Sequence, residues 1–377
     1  MQLIACDSTN PDLSPGGAGE AAVAALIAER LRAAGLEVAL EEVAPDRPNV
    51  VGRLRGTGGG RTLMLWGHMD VVSAEPEGFA PRIDGGRIYG RGAVDMKGGL
   101  ACAIVAAEEL ARGPRPAGDV IVAGVIDEEW VSLGAAALVE RYAADGAILT
   151  EQSDLELIVE HGGFAWFELT SRGVESAGIE PDRGVDAIAL LAPVLAGITE
   201  LDAELATRPA PAYGRPSVHA STIRGGTQFP QYPSRCSLGI ERCTVAGETV
   251  AEARAEVDAL VERARAADPR FDASIAMVVG REPVKLDTDG PLVQLLGAEI
   301  ERHRGQAPRQ LGDIGWADSG LMVETGTPCV IFGPTGNGHH TADEYVEVAS
   351  LTACTEILVA TAREFCGQNP DGGTNGA

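Results

Sequence analysis

Apolar runs of strand length, separated by stretches with helical spacing, constrain this chain more than any other feature. Runs at 38–43, 62–66 and 120–126 are followed by a fourth at 147–150. Residues 17–34 place Val23, Leu26, Ile27 and Leu31 on one helical face, with Gly35 as a stop. An Ala-rich helical stretch at about 98–112 divides the second run from the third, and another at about 133–142 precedes the fourth. Strands alternating with helices predict an α/β domain: a mixed, largely parallel sheet with helices on both faces.

The texture changes near residue 163. Residues 164–171 alternate like a half-exposed strand, a long apolar helix fills about 184–200, and strands are expected near 218–224 and 235–243. A helix at about 248–267 and a strand at 272–279 complete a pattern that suits an antiparallel sheet with helices on one face. From about 285 the alternation resumes, with a helix at 291–304, a strand at 328–332 and a helix at 349–366. The expected layout is one α/β domain (1–163 and 285–367) interrupted by an α+β insert (164–284), with a disordered tail at 368–377.

Charge and cysteine content narrow the function. Thirty Lys and Arg against 55 Asp and Glu give a net charge of −25, the wrong sign for nucleic acid or an anionic membrane surface. No apolar run reaches membrane-spanning length, and the start lacks a basic region followed by an apolar stretch. Seven cysteines without CxxC spacing read as reduced thiols, which points to the cytoplasm.

Four segments carry residues suited to chemistry. The run LMLWGHMDVV ends in His68 and Asp70, and strand ends are where open α/β sheets bind ligands. Asp70 can fix the tautomer of His68, although the tripeptide equally fits an ordinary polar strand end. GRGAVDMKGG places Asp95 before a helix, where it reads as a helix cap or a ligand; the glycines match no phosphate-loop spacing. VIVAGVIDEEW closes a strand with Asp127, Glu128 and Glu129, a clustering that is costly without a cation, and Glu151 repeats the theme after the next run. GNGHHTADEYV supplies His339, His340, Asp343 and Glu344 from a distant part of the chain.

Imidazoles and carboxylates in one set suit Zn²⁺, with Co²⁺ or Mn²⁺ as alternatives. Five protein ligands exceed one open tetrahedral site and suit two metals sharing a carboxylate.

With these motifs in this order and spacing, nearly the whole chain resembles the co-catalytic zinc metallopeptidase family of acetylornithine deacetylase, succinyl-diaminopimelate desuccinylase and glutamate carboxypeptidase. The resemblance implies that His68, Asp95 and Glu151 hold one metal and that Asp95, Glu129 and His340 hold the other. It further implies that Asp70 orients His68, that Glu128 is the general base, and that the Asp95–Met96 peptide is cis. The reaction implied is amide hydrolysis by a metal-bridging hydroxide. The insert would be a lid through which family members often form homodimers. The stretches TEQSDLELIVEHGGFAWFEL and STIRGGTQFPQYPSRCSLGIER are most similar to the acetylornithine deacetylase branch, so a small N-acyl amino acid is the leading substrate, with a short peptide as the alternative.

The departures from the family gather in the insert. A His that family members carry there is replaced by Ala177 or deleted between Ser176 and Ala177, Pro230 stands in place of a common Asn, and Cys243 in place of a frequent Arg. His219, Arg224, Arg242 and His161 are the remaining polar donors, and His219 equally reads as a strand residue facing solvent. Three readings follow: an active hydrolase with a different lid, a slowed enzyme, or a metal-binding homologue without activity. Retention of Glu128 and all five ligands favours the hydrolases.

Overall fold

Strands β3 (Leu63–His68) and β4 (Val120–Val125), counting β1 (Glu37–Ala44) and β2 (Arg47–Leu54) before them, are buried at every residue. Only an inner position in a sheet covered on both faces allows that. In the computed structural model, which describes residues 1–369, β3 pairs in parallel with β4 and with β5 (Gly146–Leu149). The part of the expected tail from Pro370 onward lies outside the described residues. Gln368, placed in that tail from sequence, accepts the Arg61 amide at 3.0 Å.

The sheet continues through β6 (Leu157–His161) and, late in the chain, β11 (Cys329–Ile331), in the order β1-β2-β4-β3-β5-β11-β6. Its four central strands are parallel, whereas β1, β2 and β6 run antiparallel to their neighbours. Strand β2 has no counterpart in the sequence reading, because Pro48, Asn49, Gly52 and Arg53 interrupt its apolar character. The structure explains the buried amide: Asn49 donates to the Gly134 carbonyl at 2.8 Å and accepts the Ile126 amide at 3.1 Å. Helices α1 (Ala21–Ala33), α2 (Lys97–Arg112) and α3 (Leu133–Arg141) occupy the expected segments.

Two compact units form. The first comprises Met1–Val159, Leu286–Leu311 and the described residues from Ala317 onward; the second comprises Glu160–Lys285 with Gly312–Trp316. In the second unit β7 (Gly163–Arg172), β8 (Ser217–Gly225), β9 (Arg235–Thr244) and β10 (Asp272–Arg281) form an antiparallel sheet in the order β8-β9-β7-β10. Phe167, Leu169, Leu238 and Ile240 from this sheet pack with Val194 and Ile198 of α4 (Ala192–Leu205) and Val257 and Leu260 of α5 (Val250–Ala267).

Helix α4 begins later than its apolar pattern suggests. Asp186 turns its carboxylate onto the amides of Ile188 and Ala189, a 3-10 turn follows, and Pro193 sits in the first turn of α4. A capping box between Thr249 and Glu252 starts α5. Helices α6 (Pro291–Arg304) and α7 (Val348–Phe365) belong to the first unit, and α7 packs along α2.

Candidate metal centre

Parallel pairing brings the ends of β3, β4 and β5 to one edge of the sheet, and the polar residues that follow them converge. His68 directs Nδ1 to the Asp70 carbonyl at 3.0 Å, with a carboxylate oxygen of Asp70 at 3.5 Å. Its Nε2 lies 3.0 Å from Asp95 Oδ1 and 3.2 Å from Glu151 Oε1. Asp95 ends a tight loop, the Asp95–Met96 peptide is cis, and α2 starts at Lys97. The adjoining glycines serve packing: a Cβ on Gly99 would lie 1.7 Å from the Thr150 carbonyl oxygen, so only glycine lets α2 approach the end of β5.

A second group forms around the other oxygen of Asp95. His340 Nε2 lies 3.2 Å from Asp95 Oδ2 and 3.0 Å from Glu129 Oε2. His340 has a φ of +61°, a left-handed conformation uncommon outside glycine. Asp95 therefore faces one imidazole with each carboxylate oxygen. In each group, His68/Asp95/Glu151 and Asp95/Glu129/His340, the donor atoms lie within 4.8 Å of one another. His339 is in neither group. Glu128 points to the same region, with Oε2 3.9 Å from His68 Nε2.

The three consecutive acids after β4 separate. Asp127, fully buried with a φ of +71°, turns away and accepts from Arg47 Nη2 and from Asn10 Nδ2, each at 3.1 Å. Arg47 also binds Glu20, at 2.6 Å and 2.8 Å. Asn10 reaches Asp70 as well, at 2.8 Å, and Asp70 accepts the amides of Glu128 and Glu129 at 3.1 Å each. Asn10 and Arg47 escape sequence reasoning; the one available signal is a polar cluster, DSTNPD, at the start of the chain.

Burial governs the electrostatics of the group. Burial pushes the Glu151 carboxyl up to about 7, raises Glu129, and raises Glu128 well above the usual carboxylate range. Burial would raise Asp95 too, but His340 and His68 outweigh it and hold Asp95 low. Hydrogen bonds to Asp95 and Glu129 push His340 up to about 10. Carboxylates crowded out of water beside two imidazole nitrogens form a donor set that fits divalent cations of the zinc type.

The polar residues proposed from the insert are dispersed over the second unit. Arg242 does not serve as a free donor: it is 1% exposed, and Glu248 and Glu256 hold its guanidinium at 2.7 Å and 2.9 Å. Its alternating position on β9 turns it into a structural ion pair. His219 and Arg224 are exposed on β8, with His219 Nε2 3.5 Å from Glu241. His161 is buried beside Trp316, its Nδ1 2.7 Å from the Gly162 carbonyl, and burial pushes its pKa down to about 4. Ser176 and Ala177, where the resemblance expects His, form a two-residue strand against Gln231 and Tyr232.

The chain matches the family described as Peptidase family M20/M25/M40 over residues 64–364. It belongs to that family and is a metal-dependent hydrolase of amide bonds. It is 28% identical to N-formyl-4-amino-5-aminomethyl-2-methylpyrimidine deformylase of Bacillus subtilis, covering 92% of this chain and 89% of the relative. It is 29% identical to acetylornithine deacetylase of Myxococcus xanthus, covering 90% of each. The crystal structure of a tripeptidase from Staphylococcus aureus shares the fold with a TM-score of 0.78 at 18% identity, covering 97% of this chain and 96% of that one. Among the described residues no helix is long and apolar enough to cross a membrane.

Proposed function

We propose that this protein is a deacylase that hydrolyses the amide bond of a small N-acyl amino acid with two divalent cations, Zn²⁺ by preference. The observation that carries the reading is Asp95, whose two oxygens face His68 and His340 at 3.0 Å and 3.2 Å. His68, Asp95 and Glu151 would hold one cation; Asp95, Glu129 and His340 would hold the other. Two such cations, when bound, acidify water and polarise the scissile carbonyl.

The remaining work falls to the chain. Glu128 takes the proton of the attacking water and delivers it to the departing amine, a role that its place 3.9 Å from His68 Nε2, outside both donor groups, leaves it free to fill. Asp70 holds the Nδ1 side of His68 and, through two amides, the backbone of Glu128 and Glu129. His219 and Arg224 are retained as candidate donors to the substrate. The second unit is proposed as the lid and homodimer domain, supported by β8, an edge strand exposed from His219 to Gly225. Seven free cysteines support a cytoplasmic location.

The names of the deformylase and deacetylase relatives support acyl-amide cleavage over peptide cleavage. The test is a screen of N-acetyl, N-formyl, N-succinyl and N-carbamoyl amino acids and dipeptides with Zn²⁺, Co²⁺ or Mn²⁺. Turnover of an N-acyl amino acid is expected. Exclusive cleavage of dipeptides would transfer the same centre to a peptidase, and hydrolysis of none would leave a metal-binding homologue.

A further inference from the structure

Glu344 stands in neither donor group, yet it is 1% exposed and four donors converge on its carboxylate. Arg91 Nη1 and the Gly92 amide donate to Oε2 at 2.6 Å and 3.0 Å. The Val94 and Asp95 amides donate to Oε1 at 3.0 Å and 3.2 Å. The Glu344 carbonyl accepts the Gly90 amide at 3.1 Å. Every one of these donors belongs to the loop that ends in Asp95.

Glu344 also closes the loop that presents His340. That His lies inside a turn in which Thr341 donates its amide and hydroxyl to the Gly338 carbonyl at 2.9 Å and 2.7 Å. Glu344 anchors the chain three residues further on. A left-handed residue such as His340 keeps its direction only while its neighbours hold it. The circuit closes through space, where His340 Nε2 meets Asp95 Oδ2 at 3.2 Å.

We propose that Glu344 is a positioning residue that sets the separation of Asp95 and His340, and so the affinity of the Asp95/Glu129/His340 group for its cation. The proposal rests on the two-cation reading above. A buried ion pair serving stability alone would need only Arg91. Here three of the four carboxylate contacts come from backbone amides of the Asp95 loop, and such charge-assisted bonds fix geometry.

Glu344→Gln tests it. Each carboxylate oxygen accepts two donors, so a glutamine amide meets donors with its own NH₂ whichever way it turns. The full-length holo protein, loaded with zinc, is challenged with graded chelator and its residual zinc counted, with near-UV circular dichroism reporting the fold. Wild type should retain two zinc ions. Glu344→Gln should release one of them at about 10–100-fold lower chelator and hold the other near wild-type strength. A folded variant that keeps both at wild-type strength, or loosens both by one common factor, overturns the proposal. If Glu344→Gln does not fold, Glu344→Asp keeps the charge but withdraws it by one methylene. Selective release is expected again, and equal retention overturns the proposal. A wild-type protein that never holds two zinc ions defeats the two-cation reading itself, a result the variants do not mimic.

Discussion

The amide nitrogen of Glu129 lies 3.1 Å from a carboxylate oxygen of Asp70, the residue that also flanks the far side of His68. One carboxylate thus orients an imidazole of one donor group and the backbone under a carboxylate of the other. Asp70→Asn must turn an NH₂ toward the Glu128 amide, or toward both the Glu129 amide and Asn10. Turnover should fall by about 10–100-fold with a parallel loss of metal affinity, read by steady-state kinetics and chelator competition.

Glu128→Gln separates metal binding from chemistry. The residue belongs to neither donor group, so metal content should stay at the wild-type level. Loss of the proton carrier should lower kcat by about 10²–10⁴-fold. Metal analysis and kinetics on one preparation check both, and unchanged turnover would remove Glu128 from its role.

Arg47 is the counter-charge for the fully buried Glu20 and Asp127. Arg47→Met leaves both carboxylates in the interior without it, at a cost of about 3–5 kcal/mol. Urea unfolding should show this loss. Arg47→Met combined with Glu20→Leu should recover part of it, because one unpaired charge is removed.

His161 gives stability a dependence on pH. Its pKa is about 4 in the fold against an ordinary 6.5, so between those values the unfolded chain binds more protons. Stability from this group is therefore complete above pH 6.5 and is lost as pH falls toward 4. The full effect is about 3 kcal/mol. His161→Gln should flatten that part of the profile in urea denaturation at pH 4.5 to 7, and an identical slope in both proteins would refute the assignment.

Ala177→His, or a His inserted between Ser176 and Ala177, tests whether the His missing from the second unit limits the rate. The family resemblance gives that His the role of steadying the oxyanion, and restoring such a donor is expected to raise turnover by as much as about 10²–10³-fold. No gain in either variant would mean that another group already serves.

The parts of the centre legible in sequence are those carried by local pattern. His68, Glu128, Glu129 and Glu151 follow apolar runs, and parallel pairing of those runs is enough to bring their ends together. Asp95 and His340 stand in glycine-rich loops that announce themselves. What the pattern conceals is direction and long-range pairing. Asp127 is indistinguishable in sequence from its two neighbours until Arg47 and Asn10 draw it to the other side. Glu344 reads as one more candidate ligand beside His340 until the Asp95 loop closes around it. Arg242 misleads for the same reason, since nothing local reveals that Glu248 and Glu256 face it. Strand β2 hides because its polar residues find partners in distant loops.

The central sheet is assembled from chain on both sides of the insert, for β11 joins β5 and β6 only after the second unit has been traversed. During synthesis His68, Asp95 and Glu151 leave the ribosome before that unit begins, whereas His340 emerges only after its last residue, Trp316. The two donor groups therefore mature at different times. A nascent chain owns every side chain of the first long before it can build the second, and the insert can fold while the enclosing sheet still waits for a strand.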